Sequence, residues 1–193
     1  MEKTTFRQTI WSSIVFLFFF SVLLGLAYPG FITLILQMTF HDKANGSLII
    51  LDNQIQGSWL IGQSFTQEQH FWGRPSVLEK PSNFNPTNPK QHDLIKERVN
   101  KLIASSANSS SMIPIDLVTA SASGLDPDIS VASALYQIPR IAKARNLDEK
   151  IIQEIVLENA STLGLLSPPH VNVLKLNTAL DKVNRKHHGN SKT

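Results

Sequence analysis

Residues 8–41 read QTIWSSIVFLFFFSVLLGLAYPGFITLILQMTFH, 34 consecutive positions between Arg7 and Asp42 without an Asp, Glu, Lys or Arg. No surface helix of a soluble domain exposes a block such as Phe16-Leu17-Phe18-Phe19-Phe20, so lipid is the solvent this stretch is built for. At about 1.5 Å per residue, Trp11 to Tyr28 covers roughly 26 Å, close to the ~30 Å hydrocarbon core of a bilayer, with an aromatic ring at each interface. Pro29 and Gly30 then predict a kink or interruption, and Phe31 to Phe40 continues apolar with Thr33, Gln37 and Thr39 mixed in. Trp11, Tyr28 and Pro29 are the residues that define the anchor.

A cleaved secretory signal is the competing reading, because Lys3 and Arg7 make a basic start and Gly25-Leu26-Ala27 has a small-x-small pattern. The long apolar core, the Pro just past that pattern and the apolar continuation favour an uncleaved anchor. Lys3 and Arg7 before the span against Lys43 after it place the N-terminus in the cytoplasm and the rest of the chain outside it. Ser21 and Gly25 stand at small-xxx-small spacing, which permits close packing against another helix.

Outside the anchor the composition is that of one domain. The chain has 193 residues and a net charge of +3, yet Lys182, Arg185, Lys186 and Lys192 lie in the last dozen positions, and without them the balance is −1. The basic pI therefore reflects a basic end rather than a nucleic-acid surface, and no nucleic acid is expected. Absence of cysteine removes disulfides, thiol nucleophiles and Cys-zinc sites. The division expected is 1–40 as N-terminal tail and transmembrane anchor, 41–183 as the polar domain, and 184–193 as a basic flexible tail.

Along the polar domain, Asn45-Gly46-Ser47 and Asp52-Asn53 are turns around Leu48 to Leu51, and Ile55 to Ile61 completes a β-hairpin. Phe71, Trp72 and a Gly73-Arg74-Pro75 turn lead into an irregular loop holding Pro81, Asn83, Asn85, Pro86, Asn88 and Pro89. Leu94, Ile95, Arg98, Val99, Leu102 and Ile103 form one stripe of a helix starting at Asp93, with Lys96, Glu97 and Lys101 outward. Ile113 to Thr119 reads as an extended edge. Ser130 caps a helix with Pro139 in its interior, where the lost hydrogen bond costs ~3 kcal/mol and a bend near Gln137 is expected. Asn146 ends that helix and Asp148 caps another. A Val171-Asn172-Val173 strand and a last helix at Leu176 to Val183 follow. Strands, helices, strand and helix without βαβ regularity predict an α+β domain after one transmembrane helix.

Catalytic signatures are missing: no G-x-S-x-G, H-E-x-x-H, Walker A loop or G-x-G-x-x-G, and no His pair at metal-ligand spacing. Asp126 and Asp128 near Ser121 and Ser123 are the only material for a membrane-anchored extracytoplasmic hydrolase, the alternative function. Asp-Pro-Asp after Gly-Leu reads first as a turn and helix start. Ile138 to Leu147 faintly imitates a helix-turn-helix, but the interior Pro argues for two packed core helices.

Val118-Thr119-Ala120-Ser121-Ala122-Ser123-Gly124-Leu125-Asp126 followed by Gln137-Ile138-Pro139-Arg140-Ile141-Ala142-Lys143-Ala144-Arg145-Asn146-Leu147 resembles the C subunit of the bacterial Kdp potassium-transporting ATPase, the KdpC family. Tyr28-Pro29, Ala44 to Ile49, Gly57-Ser58, Leu60 to Gln63 with Phe65, Phe71, Gly73 to Ser76, Val171 to Val173, Leu176-Asn177 and Ala179 to Asp181 match that family in the same order. The resemblance implies an accessory, non-catalytic subunit of a high-affinity ATP-driven potassium importer in the bacterial inner membrane. Its partners would be a channel-like potassium-binding subunit, a P-type ATPase subunit that hydrolyses ATP, and a small single-span subunit, besides the lipid bilayer. It also implies a catalytic-chaperone role that raises the ATP affinity of the P-type subunit, with Ser121, Ser123, Gly124 and Gln137 as nucleotide contacts. No tightly bound cofactor and no dedicated metal site are expected.

A Ser/Gly loop before a helix can hold phosphate through backbone N–H groups, but the charge bias puts that loop outside, away from cytosolic ATP. The structural alternative is a tight turn at Ser123-Gly124-Leu125-Asp126, with Gln137 satisfying the backbone that Pro139 frees. An outside domain would instead brace the complex or shape the potassium entrance.

Overall fold

The structure is a computed structural model that describes residues 5–51, 54–75, 85, 87–105, 112–162 and 167–190. It has two compact units, Met1–Ile55 and Gln56–Thr193. In the first, α1 (Phe6–Val22), a π-helical turn (Leu23–Ala27) and α2 (Tyr28–Thr39) make a single helical run. Every residue of α1 is exposed, Phe18 by 71%, so the protein offers this helix no apolar cover. It is the one helix among the described residues long and apolar enough to cross a membrane.

The run differs from the expectation of an interruption at Pro29. A proline ring collides with the carbonyl four residues earlier, here that of Gly25, and removes one N–H donor. Widening the turn to a π geometry over Leu23–Ala27 relieves that collision while the helix continues. At the far end Gln37 and Asn45 exchange side-chain amide hydrogen bonds of 3.1 and 3.2 Å, and Asn45 Nδ2 also donates to the His41 carbonyl at 2.8 Å across the short α3 (His41–Ala44). The strands β1 (Leu48–Leu51) and β2 (Gln54–Ser58) form a two-stranded sheet, as the turn signals predict, but β2 stops at Ser58 instead of running to Ile61, whose N–H donates back to Ser58 O at 3.3 Å.

The second unit is α+β. Its elements are α4 (Pro89–Ser105), a 3₁₀ turn (Ile115–Leu117), β3 (Asp128–Ser130), α5 (Val131–Arg145), α6 (Glu149–Glu158), β4 (His170–Asn172) and α7 (Val173–Asn190). Strands β3 and β4 pair antiparallel with Ile129 opposite Val171, and both side chains are buried. The main core joins them to Phe71, Ile138, Ile141, Ile152, Ile155, Val156, Val173, Leu176 and Leu180. A smaller cluster gathers Leu102, Leu117 and Val118, with Trp72, Ile95, Val99 and Tyr136 against it.

Several local expectations are corrected. Helix α4 begins at Pro89, not Asp93, because Asn88 Oδ1 accepts from the Lys90 N–H at 3.0 Å and proline suits the first helical position. Its Ile103 is 45% exposed, outside the buried stripe. Ile113 to Thr119 is not extended: the Leu117 N–H donates to Pro114 O and the Val118 N–H to Ile115 O, both at 3.1 Å, closing the 3₁₀ turn. Asp128 opens a strand rather than a helix. Helix α5 passes through Pro139 unbroken, held by buried Ile138 and Ile141 on either side. The last strand ends at Asn172, where Asn172 Oδ1 accepts from the Lys175 N–H at 3.1 Å, and α7 begins at Val173 with a backbone that stays helical to Asn190. Most of the Pro/Asn loop (76–84 and 86), together with 1–4, 52–53, 106–111, 163–166 and 191–193, lies outside the described residues.

Candidate functional site

Phe71 and Trp72 have no strand beside them, yet Phe71 is fully buried. A buried backbone without secondary structure must find partners among side chains. Two amides supply them. The Phe71 N–H donates to Asn177 Oδ1 at 2.8 Å and Asn177 Nδ2 donates back to Phe71 O at 3.1 Å. The Trp72 N–H donates to Gln137 Oε1 at 2.8 Å and Gln137 Nε2 returns to Trp72 O at 3.0 Å. Asn177 comes from α7 and Gln137 from α5, so successive residues of one segment are clamped by two helices. Phe71 then enters the main core and Trp72 the smaller cluster.

Arginines secure the flanks of this segment. Buried Arg140 donates to the Glu68 carbonyl, to His70 O at 3.0 Å and to Gln137 Oε1 at 2.8 Å, and its guanidinium lies 3.9 Å over the Trp72 ring. Burial pushes its pKa down to about 10, against a smaller upward pull from Glu68, which leaves it protonated at neutral pH. Arg145 donates to Gln69 O at 2.7 Å and pairs with Asp181 at 2.7 Å. His70 sits 3.8 Å from the same Asp181; burial holds its pKa below the ordinary imidazole value, outweighing the carboxylate, with Arg145 and Arg140 adding to the depression.

At the other end Arg74 pairs with Asp126 at 2.8 Å, with the Thr119 and Ala120 carbonyls 3.4 Å from its Nη2. This ties the segment to the Ser121–Asp126 turn. There Ser121 Oγ accepts from the Gly124 N–H at 3.0 Å and Ser123 Oγ from the Leu125 N–H at 3.1 Å. Gly124 has φ of 71°, a conformation that favours glycine. The Leu125 carbonyl accepts from the Gly62 N–H at 2.8 Å, and a Cβ at Gly62 would lie 2.5 Å from Asp126 O, so that approach requires glycine as well.

The expected site residues thus fall in two places. Ser121, Ser123 and Gly124 share one turn, with Ser121 and Gly124 buried and Ser123 exposed. Gln137 is 2% exposed, and both acceptor and both donor positions of its amide are used, the fourth by Ser133 O at 3.2 Å. It therefore serves Trp72 and not the backbone freed by Pro139. Asp126 is occupied by Arg74 and by the Asp128 N–H at 3.1 Å. No group of three or more His, Asp or Glu able to hold a metal occurs among the described residues.

An acid–hydroxyl cluster that spacing had not suggested lies at the start of α5. Asp116 accepts from the Ser130 N–H at 2.8 Å, from the Ser130 hydroxyl at 3.3 Å and from the Ser133 hydroxyl. Burial alone would raise its carboxyl pKa, but the bonds from Ser133 and Ser130 outweigh it and hold the carboxyl below its ordinary value. Ser130 Oγ also accepts from the Ser133 N–H at 3.0 Å, which makes the cluster a helix cap. Asn177, Arg140, Arg74 and Asp116 were readable as residues but not as a site, because each partner lies far away in the chain.

Clamp, turn and anchor all fall within the stretch of this chain that is similar to known proteins. The family model described as K+-transporting ATPase, c chain (KdpC) matches residues 10–182, a range that includes the apolar helix, the clamped segment and the turn. The chain belongs to the KdpC family. It is 45% identical to the potassium-transporting ATPase KdpC subunit of Herpetosiphon aurantiacus over 192 residues, covering 94% of this chain and 97% of that one. The KdpC subunit of Paraburkholderia xenovorans is 45% identical over 194 residues, 95% of this chain and 99% of its own. That of Burkholderia mallei is 43% identical over 196 residues, covering 96% and 100%. KdpC likeness therefore extends over anchor and domain alike.

Proposed function

We propose that this chain is a non-catalytic, single-span subunit that braces a potassium-importing ATPase complex in the bacterial inner membrane. Its partners are a channel-like potassium-binding subunit, a P-type ATPase subunit and a small single-span subunit. The observation that carries the reading is where the polar groups of the domain are spent. Gln137, Asn177, Arg140, Arg145 and Arg74 hold the chain's own backbone, and Asp116 with Ser130 caps a helix. Such a domain is built for a fixed shape rather than for turnover. The charge bias around the apolar helix supports a cytoplasmic N-terminus and an extracytoplasmic domain.

The catalytic-chaperone role that the resemblance implies needs the domain on the side that holds ATP. One experiment separates the two. The chain has no cysteine, so Glu154→Cys on the exposed face of α6 gives a single thiol. Labelling in intact cells by a thiol reagent that cannot cross the inner membrane is expected, and supports bracing. Labelling only after membrane disruption overturns the orientation and makes nucleotide contact at Ser121, Ser123 and Gly124 the leading mechanism. Purified alone, the chain is expected to release no phosphate from ATP, and to co-purify with the other subunits when they are produced together.

A further inference from the structure

Between α4 and the 63–75 stretch lies an open cleft of about 190 Å³. Trp72, Leu102 and Leu117 supply its apolar surface; Arg74, Arg98 and Lys101 supply its charge, and no Asp or Glu among the described residues lines it. Of the three cations, only Arg74 has a carboxylate within 4 Å among the described residues. Arg98 spends one N–H on Val118 O at 2.9 Å. Its pKa is lowered by burial, with only a partial upward pull from Glu97, the sign of a cation that has lost water without gaining a counter-ion. Lys101 is exposed, its ammonium 5.7 Å over the Trp72 ring. Trp72 is itself fixed by Gln137 and Arg140, so the cleft wall is preorganised.

We propose that this cleft is a docking site for another chain of the transporter, which inserts an Asp or Glu side chain beside a bulky apolar one. The inference rests on the subunit reading above. Two features select that occupant. Ligand pockets for free small molecules run from about 300 to 1,000 Å³, whereas this open cleft, at about 190 Å³, suits one or two side chains of a docking chain. An apolar floor beside Arg98 and Lys101, neither with a carboxylate within 4 Å among the described residues, is complementary to an acidic residue next to an apolar one, and such complementarity fixes partner and register.

The test uses the assembled complex, purified through a tag on another subunit, with retention of this chain followed over a series of NaCl concentrations. Lys101→Glu is expected to reduce retention about tenfold and Lys101→Arg to leave it near wild type, while Lys101→Gln falls between. Thermal unfolding of each detergent-solubilised variant, expected to match wild type because Lys101 is exposed, checks that the fold survives. If Lys101→Glu reports a damaged fold, the comparison of Lys101→Gln with Lys101→Arg decides. Wild-type retention of a folded Lys101→Glu or Lys101→Gln variant at every salt concentration overturns the proposal. It is equally overturned if these variants lose binding of anilinonaphthalene sulfonate while assembly is unchanged, since the cleft then takes a free amphiphilic anion. Failure of the wild-type chain itself to be retained strikes the subunit reading, and is thereby distinguishable.

Discussion

The helix from Phe6 to Thr39 and the segment around Phe71-Trp72 are both apolar and both must satisfy their backbone away from water, yet they do so in opposite ways. The helix closes its own hydrogen bonds within the run and, where Pro29 removes one, widens a turn. It needs nothing from residues distant in sequence. Phe71 and Trp72 make no helix or strand and depend on Asn177 and Gln137, 106 and 65 positions away. A self-sufficient element is insertable into lipid as a unit. A dependent one exists only once the domain around it has formed, and so reports on the fold of that domain.

Breaking the dependent element should have the largest effect. Asn177→Leu leaves the buried N–H and C=O of Phe71 unpaired, and a loss of about 4 kcal/mol is expected from the usual 1–3 kcal/mol per buried polar group. A denaturant titration of the detergent-solubilised chain measures it, and a loss under 1 kcal/mol would mean that the segment finds other partners. Membrane insertion of this variant is expected to stay normal.

The reciprocal change is Phe18→Arg in the anchor. A charge at the centre of a spanning helix costs about 3 kcal/mol of insertion free energy, seen as a smaller membrane-integrated fraction, while the unfolding midpoint of the domain is expected not to move. A lowered midpoint would show that the two elements are not independent.

A smaller effect, about 1 kcal/mol, is expected for Ser130→Ala, which removes the cap of α5. The cap also carries a pH signature. Because the folded carboxyl of Asp116 titrates below its ordinary value, its contribution is present above about pH 4 and is lost as pH falls through the folded pKa. Asp116→Asn should flatten that acid limb in a series of melts below pH 4.

His70, at the edge of the clamp, gives the smallest predicted change. Its pKa is depressed on folding, so the unfolded chain takes up the proton first and stability declines as pH falls below about 6.5. In His70→Gln that decline below about pH 6.5 should disappear from the unfolding midpoints, and its persistence would assign the titration elsewhere.

How much of this was legible in the residues follows from the same contrast. Ser130, Asn146 and Asp148 cap or end their helices as read, because a cap is a contact between near neighbours. Asn88-Pro89 carries the same kind of local signal, but it stands at the end of a Pro/Asn-rich stretch whose composition reads as loop, so the start of α4 is obscured there. Ile113 to Thr119 looked extended since alternation over a few residues does not reveal a 3₁₀ turn, which is stabilised here by the docking of Leu117 and the bonds of Asp116 to Ser130. Of the candidate site, the Ser121-Ser123-Gly124 turn was visible as a small-residue loop. The engagement of Gln137 with Trp72 was not, since an amide gives no sign in sequence of which distant backbone it will meet.

The sequence by itself determined the membrane helix, the α+β character of the domain, the caps and turns, and membership of the KdpC family. These rest on local propensity, periodicity and collinear pattern. Only the tertiary structure decided that Asn177 and Gln137 clamp Phe71 and Trp72, that Arg74 joins this segment to the Asp126 turn, and that Arg98 and Lys101 meet Trp72 in one cleft. The physical reason is that a buried polar group must be satisfied but is indifferent to where in the chain its partner originates, so the pairing is settled only by packing.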